Sequence, residues 1–265
     1  MKKMFGLTAV ALVGLLGACG ASDDEESAEG SKNLLEQIQE EGTIIVGTEG
    51  TYSPFTFHDD SDTLTGYDVE VMNELAERMG VEVKYMETQW DSMFEGLNSS
   101  RFDVIANQVG VNEERLEKYD FSDAYTVSGA VIVTLEADSS ITSFEDLEGI
   151  QSAQSLTSNF ADIATENGAE IVPVEGLVQT IELIRSGRAE VTVNDKLAIL
   201  EYLKEQPNSG VKIAAEESDV SESAFMFRQG NEELVEEFNK YLAEMKEDGT
   251  LAEISEEWFG EDVSQ

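Results

Sequence analysis

From Thr43 onward, short β-branched runs alternate with stretches whose apolar residues recur at helical spacing, and this alternation restricts the chain more than any other feature. Ile44, Ile45 and Val46 read as a short buried strand. Asp68 opens a helix carrying Val69, Met72, Leu75, Ala76 and Met79, with Gly80 as its stop. Val81, Val83 and Tyr85 alternate as a strand, and Trp90, Phe94 and Leu97 share one helical face after Asp91. The pattern continues through strands at residues 104–106, 131–134 and 191–193 and through helices after Ser158 and over 178–185. It ends in an amphipathic helix over 232–246, a stop at Gly249 and a short helix over 251–258. Strand, helix, strand, helix predicts an α/β fold with a parallel or mixed sheet.

A weak internal repeat sharpens that reading. Residues 93–108 align with residues 180–195, matching Glu95 with Glu182, Ser99 with Ser186, Arg101 with Arg188, Val104 with Val191 and Asn107 with Asn194. Both copies read helix, tight turn, acidic residue, strand. The plainer alternative is that any two helix-turn-strand units of an α/β protein look alike. If the repeat is real, the chain holds two lobes of similar topology, with Gln108 and Asp195 just past the C-terminal ends of equivalent strands. Ligands of open α/β sheets bind at that edge, so the two residues are expected on opposite walls of one cleft.

Charge and composition remove whole classes of function. Among 265 residues there are 56 Asp and Glu against 16 Lys and Arg, a formal net charge of -40. Such an excess works against nucleic-acid binding, which draws its affinity from clustered cations. The charge reads as a solvated surface, or as adaptation to high external salt, where screening weakens repulsion between carboxylates. One Cys, Cys19, and one His, His58, exclude a disulfide framework, a CxxC zinc site and a Cys/His dyad. His58 reads as a loop residue, and without a GxxxxGK[ST] loop the chain is not expected to hydrolyse ATP.

Lys2 and Lys3 precede an apolar run over residues 4–16, which is too short and too Gly-interrupted for a stable membrane span but suits a secretory signal. The run ends in Leu16-Gly17-Ala18-Cys19, which resembles the bacterial lipobox. The resemblance implies that residues 1–18 are a removed lipoprotein signal peptide and that Cys19 carries diacylglycerol, with further acylation by a chain such as palmitate. Residues 19–33, small and acidic, read as a flexible tether.

Several motifs then occur in a specific order: Gly47-Thr-Glu-Gly-Thr-Tyr-Ser-Pro-Phe-Thr-Phe57, Leu64-Thr-Gly-Tyr-Asp-Val-Glu70, Trp90-Asp91, Phe102-Asp-Val-Ile-Ala-Asn-Gln-Val109, and Arg115 through Tyr119-Asp-Phe-Ser-Asp-Ala-Tyr125. Asp146-Leu-Glu-Gly149, Asp248-Gly-Thr-Leu251 and Glu257-Trp-Phe-Gly260 follow. Over nearly all of residues 34–262 the chain resembles the polar amino-acid solute-binding proteins of ABC importers. Gly47-Thr-Glu-Gly-Thr-Tyr52, Asn107-Gln-Val109 and Tyr125-Thr-Val-Ser-Gly129 look most like the cystine-binding branch. The resemblance implies a two-lobed type II binding-protein fold, each lobe a mixed sheet flanked by helices. Lobe one is expected over 34–129 plus 225–265 and lobe two over 130–224. The two crossings would form a hinge near residues 128–131 and 223–225, where Ser128, Gly129, Ala130 and Ala224 are small. It also implies a lipid-anchored extracytoplasmic monomer without cofactor or metal, closing on L-cystine and docking on a permease driven by a separate ATPase. Glutamine or another polar amino acid is the alternative ligand; a sensor or a dehydratase-like enzyme on the same fold is the alternative class.

The residues themselves suit a zwitterion, which needs one cationic and one anionic partner. Arg115 can hold a carboxylate with a bidentate fork; otherwise it is a surface Arg paired with Glu114 or Glu117. Gly110 admits a backbone N–H beside it, and Gln108 offers donor and acceptor. Asp195 matches the ammonium and is also placed to cap a helix over 196–203. Thr157, Ser158 and Asn159 precede a helical run and can attract a carboxylate. Tyr52, Phe55 and Trp90 are candidate apolar walls for an aliphatic or disulfide portion, or else core residues. Glu49 would meet the second ammonium that cystine carries.

Overall fold

The computed structural model describes residues 33–264. The signal-peptide and lipidation expectations for residues 1–18 and Cys19, and all of the tether except Asn33, lie outside the described residues. Asn33 itself begins the fold. Its side chain accepts the Glu36 N–H at 2.8 Å and Glu36 returns a bond to the Asn33 N–H at 3.2 Å, a reciprocal cap that starts α1 (Leu34–Glu41).

The central strand β1 (Thr43–Thr48) follows. A small antiparallel sheet of β2 (Thr51–Tyr52), β3 (Thr56–His58) and β4 (Leu64–Thr65) then leads into α2 (Tyr67–Met79), which Gly80 stops in the left-handed conformation. His58 thus closes a short strand rather than lying in a loop. Next come β5 (Glu82–Glu87), α3 (Trp90–Asn98), β6 (Val104–Gly110), α4 (Glu113–Leu116), β7 (Tyr119–Phe121) and the long β8 (Thr126–Leu135). The second lobe adds β9 (Gln151–Gln154), α5 (Asn159–Glu166), β10 (Glu170–Pro173), α6 (Leu177–Arg185), β11 (Val191–Asp195) and α7 (Lys196–Glu205). The strand β12 (Val211–Arg228) returns to the first lobe, which α8 (Glu232–Asp248) and α9 (Thr250–Phe259) complete.

The strands run in the order β10-β9-β11-β8-β12-β6-β1-β5, with β7 also paired to β12. Two parallel wings, β5-β1-β6 and β10-β9-β11, are therefore bridged by the antiparallel pair β8 and β12. This is the two-lobed, two-strand-hinged fold expected. Apolar faces bury on both sides of each wing: Met72, Leu75, Phe225, Phe227 and Phe238 on one face of the first, Met93, Leu97, Phe102 and Ile105 on the other, and Ile132, Leu147, Ala164 and Val193 in the second.

The repeat is present in the backbone. Ser100 turns at φ 57° and its counterpart Gly187 at φ 69°. Arg101 N–H donates to Gly96 O and Arg188 N–H to Leu183 O, both at 2.9 Å. The acidic residue that follows ties down the neighbouring strand in each lobe: Asp103 accepts the Ile45 N–H and Glu190 the Gln151 N–H, again at 2.9 Å. Matched sequence therefore reflects matched hydrogen bonding.

Candidate functional site

The two repeat units deliver β6 and β11 to one cavity between the lobes, and the aligned asparagines brace its walls. In the first lobe, Asn107 Oδ1 accepts the Glu49 N–H at 2.8 Å while its Nδ2 donates to Glu49 Oε2 at 2.8 Å. Glu49 is thereby fixed on the wall, and burial raises its carboxyl above the ordinary range, with Asp91 adding to the rise. In the second lobe, Asn194 Oδ1 accepts the Asp195 N–H at 2.9 Å and, across the cleft, the Tyr52 hydroxyl at 3.0 Å.

Gln108 adopts φ 48°, a left-handed conformation uncommon for a non-glycine residue. What holds it there is Asp68 at the start of α2, which accepts the Gln108 backbone N–H at 2.7 Å and its Nε2 at 2.6 Å; Thr126 Oγ1 takes the other Nε2 hydrogen at 3.0 Å. Burial pushes the Asp68 carboxyl up to about 7 even so. The donor expected of Gln108 is thus spent inward, and its Oε1 is left buried with no partner among the described residues. Trp90 Nε1 is in the same position. Two cavity-lining residues therefore carry one unmet acceptor and one unmet donor.

Asp195 ends β11, caps the helix that follows as expected and stands on the cavity wall. Its Oδ1 accepts the Leu197 and Ala198 N–H groups at 2.8 and 3.1 Å, capping α7, while the buried residue lines the cavity. Burial lifts its carboxyl to about 6. Ser158 caps α5 by accepting the Phe160 N–H at 3.1 Å, and Asn159 stands in the first turn. A side chain at Gly110 would bring a Cβ to 3.2 Å from the Asn159 amide, so glycine lets the lobes approach here.

Glu49, Tyr52, Trp90, Gln108, Gly110, Ser158, Asn159 and Asp195 line this one cavity. Three expected residues do not. Phe55 is fully buried in the core, its ring 5.3 Å from Tyr52 and 5.8 Å from Phe259. Thr157 turns to Asp91, which accepts its N–H at 2.9 Å and its hydroxyl at 2.7 Å. Arg115 lies against the rings of Trp90 and Phe94, 5.6 and 5.4 Å from their centroids, and lines a neighbouring cavity with Leu156 and Asp162. Its Nη1 donates to Gly110 O at 2.7 Å and Nη2 to Thr157 O at 2.9 Å. Two of the five N–H donors of the fork are thus given to carbonyls on opposite walls, so here Arg115 straps the lobes together beside the cavity instead of lining it. Arg115 and Asp195 accordingly do not face each other across the cavity.

The cavity also gathers residues the sequence reading passed over. Asn107 and Asn194 were available from the repeat, where they align. Gln154 and Thr180 carried no signal, because a polar residue on a strand or helix is ordinarily a surface one; here they line the wall, and Gln154 Nε2 donates to Val193 O at 3.1 Å.

Comparison with known proteins agrees with this architecture. The chain is 53% identical over 267 aligned positions to the L-cystine-binding protein TcyA of Bacillus subtilis (strain 168), covering 100% of this chain and 99% of that one. Among solved structures, the L-cystine solute receptor of Neisseria gonorrhoeae in its unliganded open conformation is 49% identical, with 88% of this chain and 100% of that one covered and a TM-score of 0.60. An ancestral arginine-binding protein bound to arginine is only 36% identical, with 82% and 98% covered, yet superposes with a TM-score of 0.77. The family model of the bacterial extracellular solute-binding proteins, family 3, matches residues 44–261. The chain belongs to that family.

Proposed function

We propose that this chain captures a polar L-amino acid, L-cystine before others, by closing its lobes, and hands it to an ABC permease served by a separate ATPase. The observation that carries the reading is the charge of the cavity: its lining includes two carboxyls, Glu49 from one lobe and Asp195 from the other, and no Lys, Arg or His. Such a wall favours a guest with two ammonium groups, which cystine has, and disfavours an acidic side chain. One ammonium would meet Asp195 and the unmet Gln108 Oε1, the other Glu49. A ligand carboxylate would sit at the first turn of α5 beside the Ser158 and Asn159 side chains, where the positive end of the helix dipole favours an anion. Tyr52 and Trp90 would flank the disulfide. The near full-length similarity to an L-cystine-binding protein supports the same ligand.

In this reading the chain is a binding subunit rather than a catalyst, tethered outside the membrane through lipid on Cys19. Lobes over 34–129 plus 225–265 and over 130–224 would rotate about the two strand crossings near 128–131 and 223–225. Calorimetry with L-cystine, cysteine, glutamine, glutamate and arginine tests the ligand, with cystine expected to bind tightest. Tight glutamine binding with no response to cystine would overturn the ligand and leave the family role intact. Incorporation of labelled palmitate that vanishes in Cys19→Ala tests the anchor.

A further inference from the structure

The reading above gives no part to Asp68 or Thr126, which are fully buried and do not line the cavity. Asp68, in the first turn of α2, has its carboxyl bonded to amide groups rather than to a cation. Its Oδ2 accepts the Gln108 backbone N–H at 2.7 Å and its Oδ1 the Gln108 Nε2 at 2.6 Å. Thr126, the first residue of β8, accepts the other Nε2 hydrogen at 3.0 Å. The residue they hold stands at φ 48°, where glycine would be free of strain. A buried carboxyl and a left-handed backbone meeting at one contact are two costs that packing alone does not explain.

What they achieve follows from the chemistry of a carboxamide, whose NH2 only donates and whose oxygen only accepts. Turned over, Gln108 would set its oxygen against a carboxylate oxygen, acceptor against acceptor. With both Nε2 hydrogens taken, only Oε1 is left over, buried and without a partner among the described residues, on a side chain that lines the cavity. We infer that Asp68 and Thr126 are positioning residues that fix the polarity of Gln108, so that this part of the wall offers an acceptor and selects a ligand bringing an ammonium to it. The reversed amide would fill the same volume yet present donors to a group that only donates. Selection here is by the direction of a buried dipole, set by two residues that never touch the ligand.

The inference rests on the amino-acid-capture reading, and its test keeps the two apart. Binding of L-cystine is measured at pH ~8, where the Asp68 carboxyl, lifted by burial to about 7, is ionised. In Asp68→Asn the new amide can keep its oxygen on the Gln108 backbone N–H and set its NH2 against the Gln108 side chain, which then turns over. Affinity is expected to fall about 10- to 100-fold, the worth of one hydrogen bond to a charged group. Gln108→Glu alone sets a second carboxyl against Asp68 and should weaken binding as well. Asp68→Asn and Gln108→Glu in one chain exchange the partners: the introduced amide donates to one oxygen of the introduced carboxyl, and the other oxygen is again an acceptor in the cavity. The double variant is therefore expected to recover most of the lost affinity. Losses that simply add, with melts showing all four proteins folded, would overturn the lock. Hydrogen exchange on the unaltered, ligand-free protein gives a readout that needs no variant. The Gln108 side-chain amide protons, followed by NMR, should exchange far more slowly than those of exposed Gln39, and equal rates would overturn the lock. If none of L-cystine, cysteine, glutamine, glutamate and arginine binds the wild type, the ligand reading fails and the exchange rates alone decide the lock.

Discussion

The carboxyl of Asp195 caps α7 with one oxygen and lies on the cavity wall. Asparagine caps a helix about as well as aspartate but carries no charge. Asp195→Asn is therefore expected to change stability by no more than about 0.5 kcal/mol, while weakening amino-acid binding by about 2–5 kcal/mol; thermal melts and calorimetry on one preparation read both. Arg115 calls for the opposite comparison. Arg115→Ala removes two charge-assisted bonds that join Gly110 to Thr157, and a loss of about 2 kcal/mol or more in affinity is expected. Arg115→Lys should not restore it, since a single ammonium lacks the planar fork that spans both carbonyls. Unchanged affinity in Arg115→Ala would reduce the residue to a bystander.

At the level of elements, the helix-turn-strand unit is the part built twice. Ser100 occupies the left-handed turn that glycine occupies in the other copy, so Ser100→Gly should stabilise the protein by up to about 1 kcal/mol and Gly187→Ala should destabilise it by about as much; chemical denaturation measures both. These units were legible because their helices and strands keep clean apolar periods. The two aligned asparagines were legible too, had the repeat been followed into the site. The start of α1 was also written in the chain, as Asn33 followed three residues later by Glu36. Neither β9 nor β12 could be read. The first is Gln-Ser-Ala-Gln, and the middle of the second is acidic and exposed, composition that disfavours strands until pairing with β8 and β11 overrides it. The carbonyl partners of Arg115 were not legible either: sequence shows that a fork is present but not which oxygens it meets in the folded chain.

Across the whole molecule, the net charge of -40 acts against compaction and against closure alike. Molar sodium chloride is expected to raise the melting temperature relative to low salt, and equal stability in both would sink the idea that this surface suits a saline habitat. The second lobe is one uninterrupted stretch between the two crossing strands, whereas the first is assembled from both ends of the chain. There α8 and α9 pack on α2, Arg78 binds Asp248 at 2.8 Å, and Trp258 Nε1 donates to Glu70 at 2.9 Å. A chain threading out amino end first therefore has everything the second lobe requires while α2 still lacks its cover. The last helices act as a lid on the earliest-made core, and a polypeptide cut short before them would keep a foldable half and leave an adhesive one.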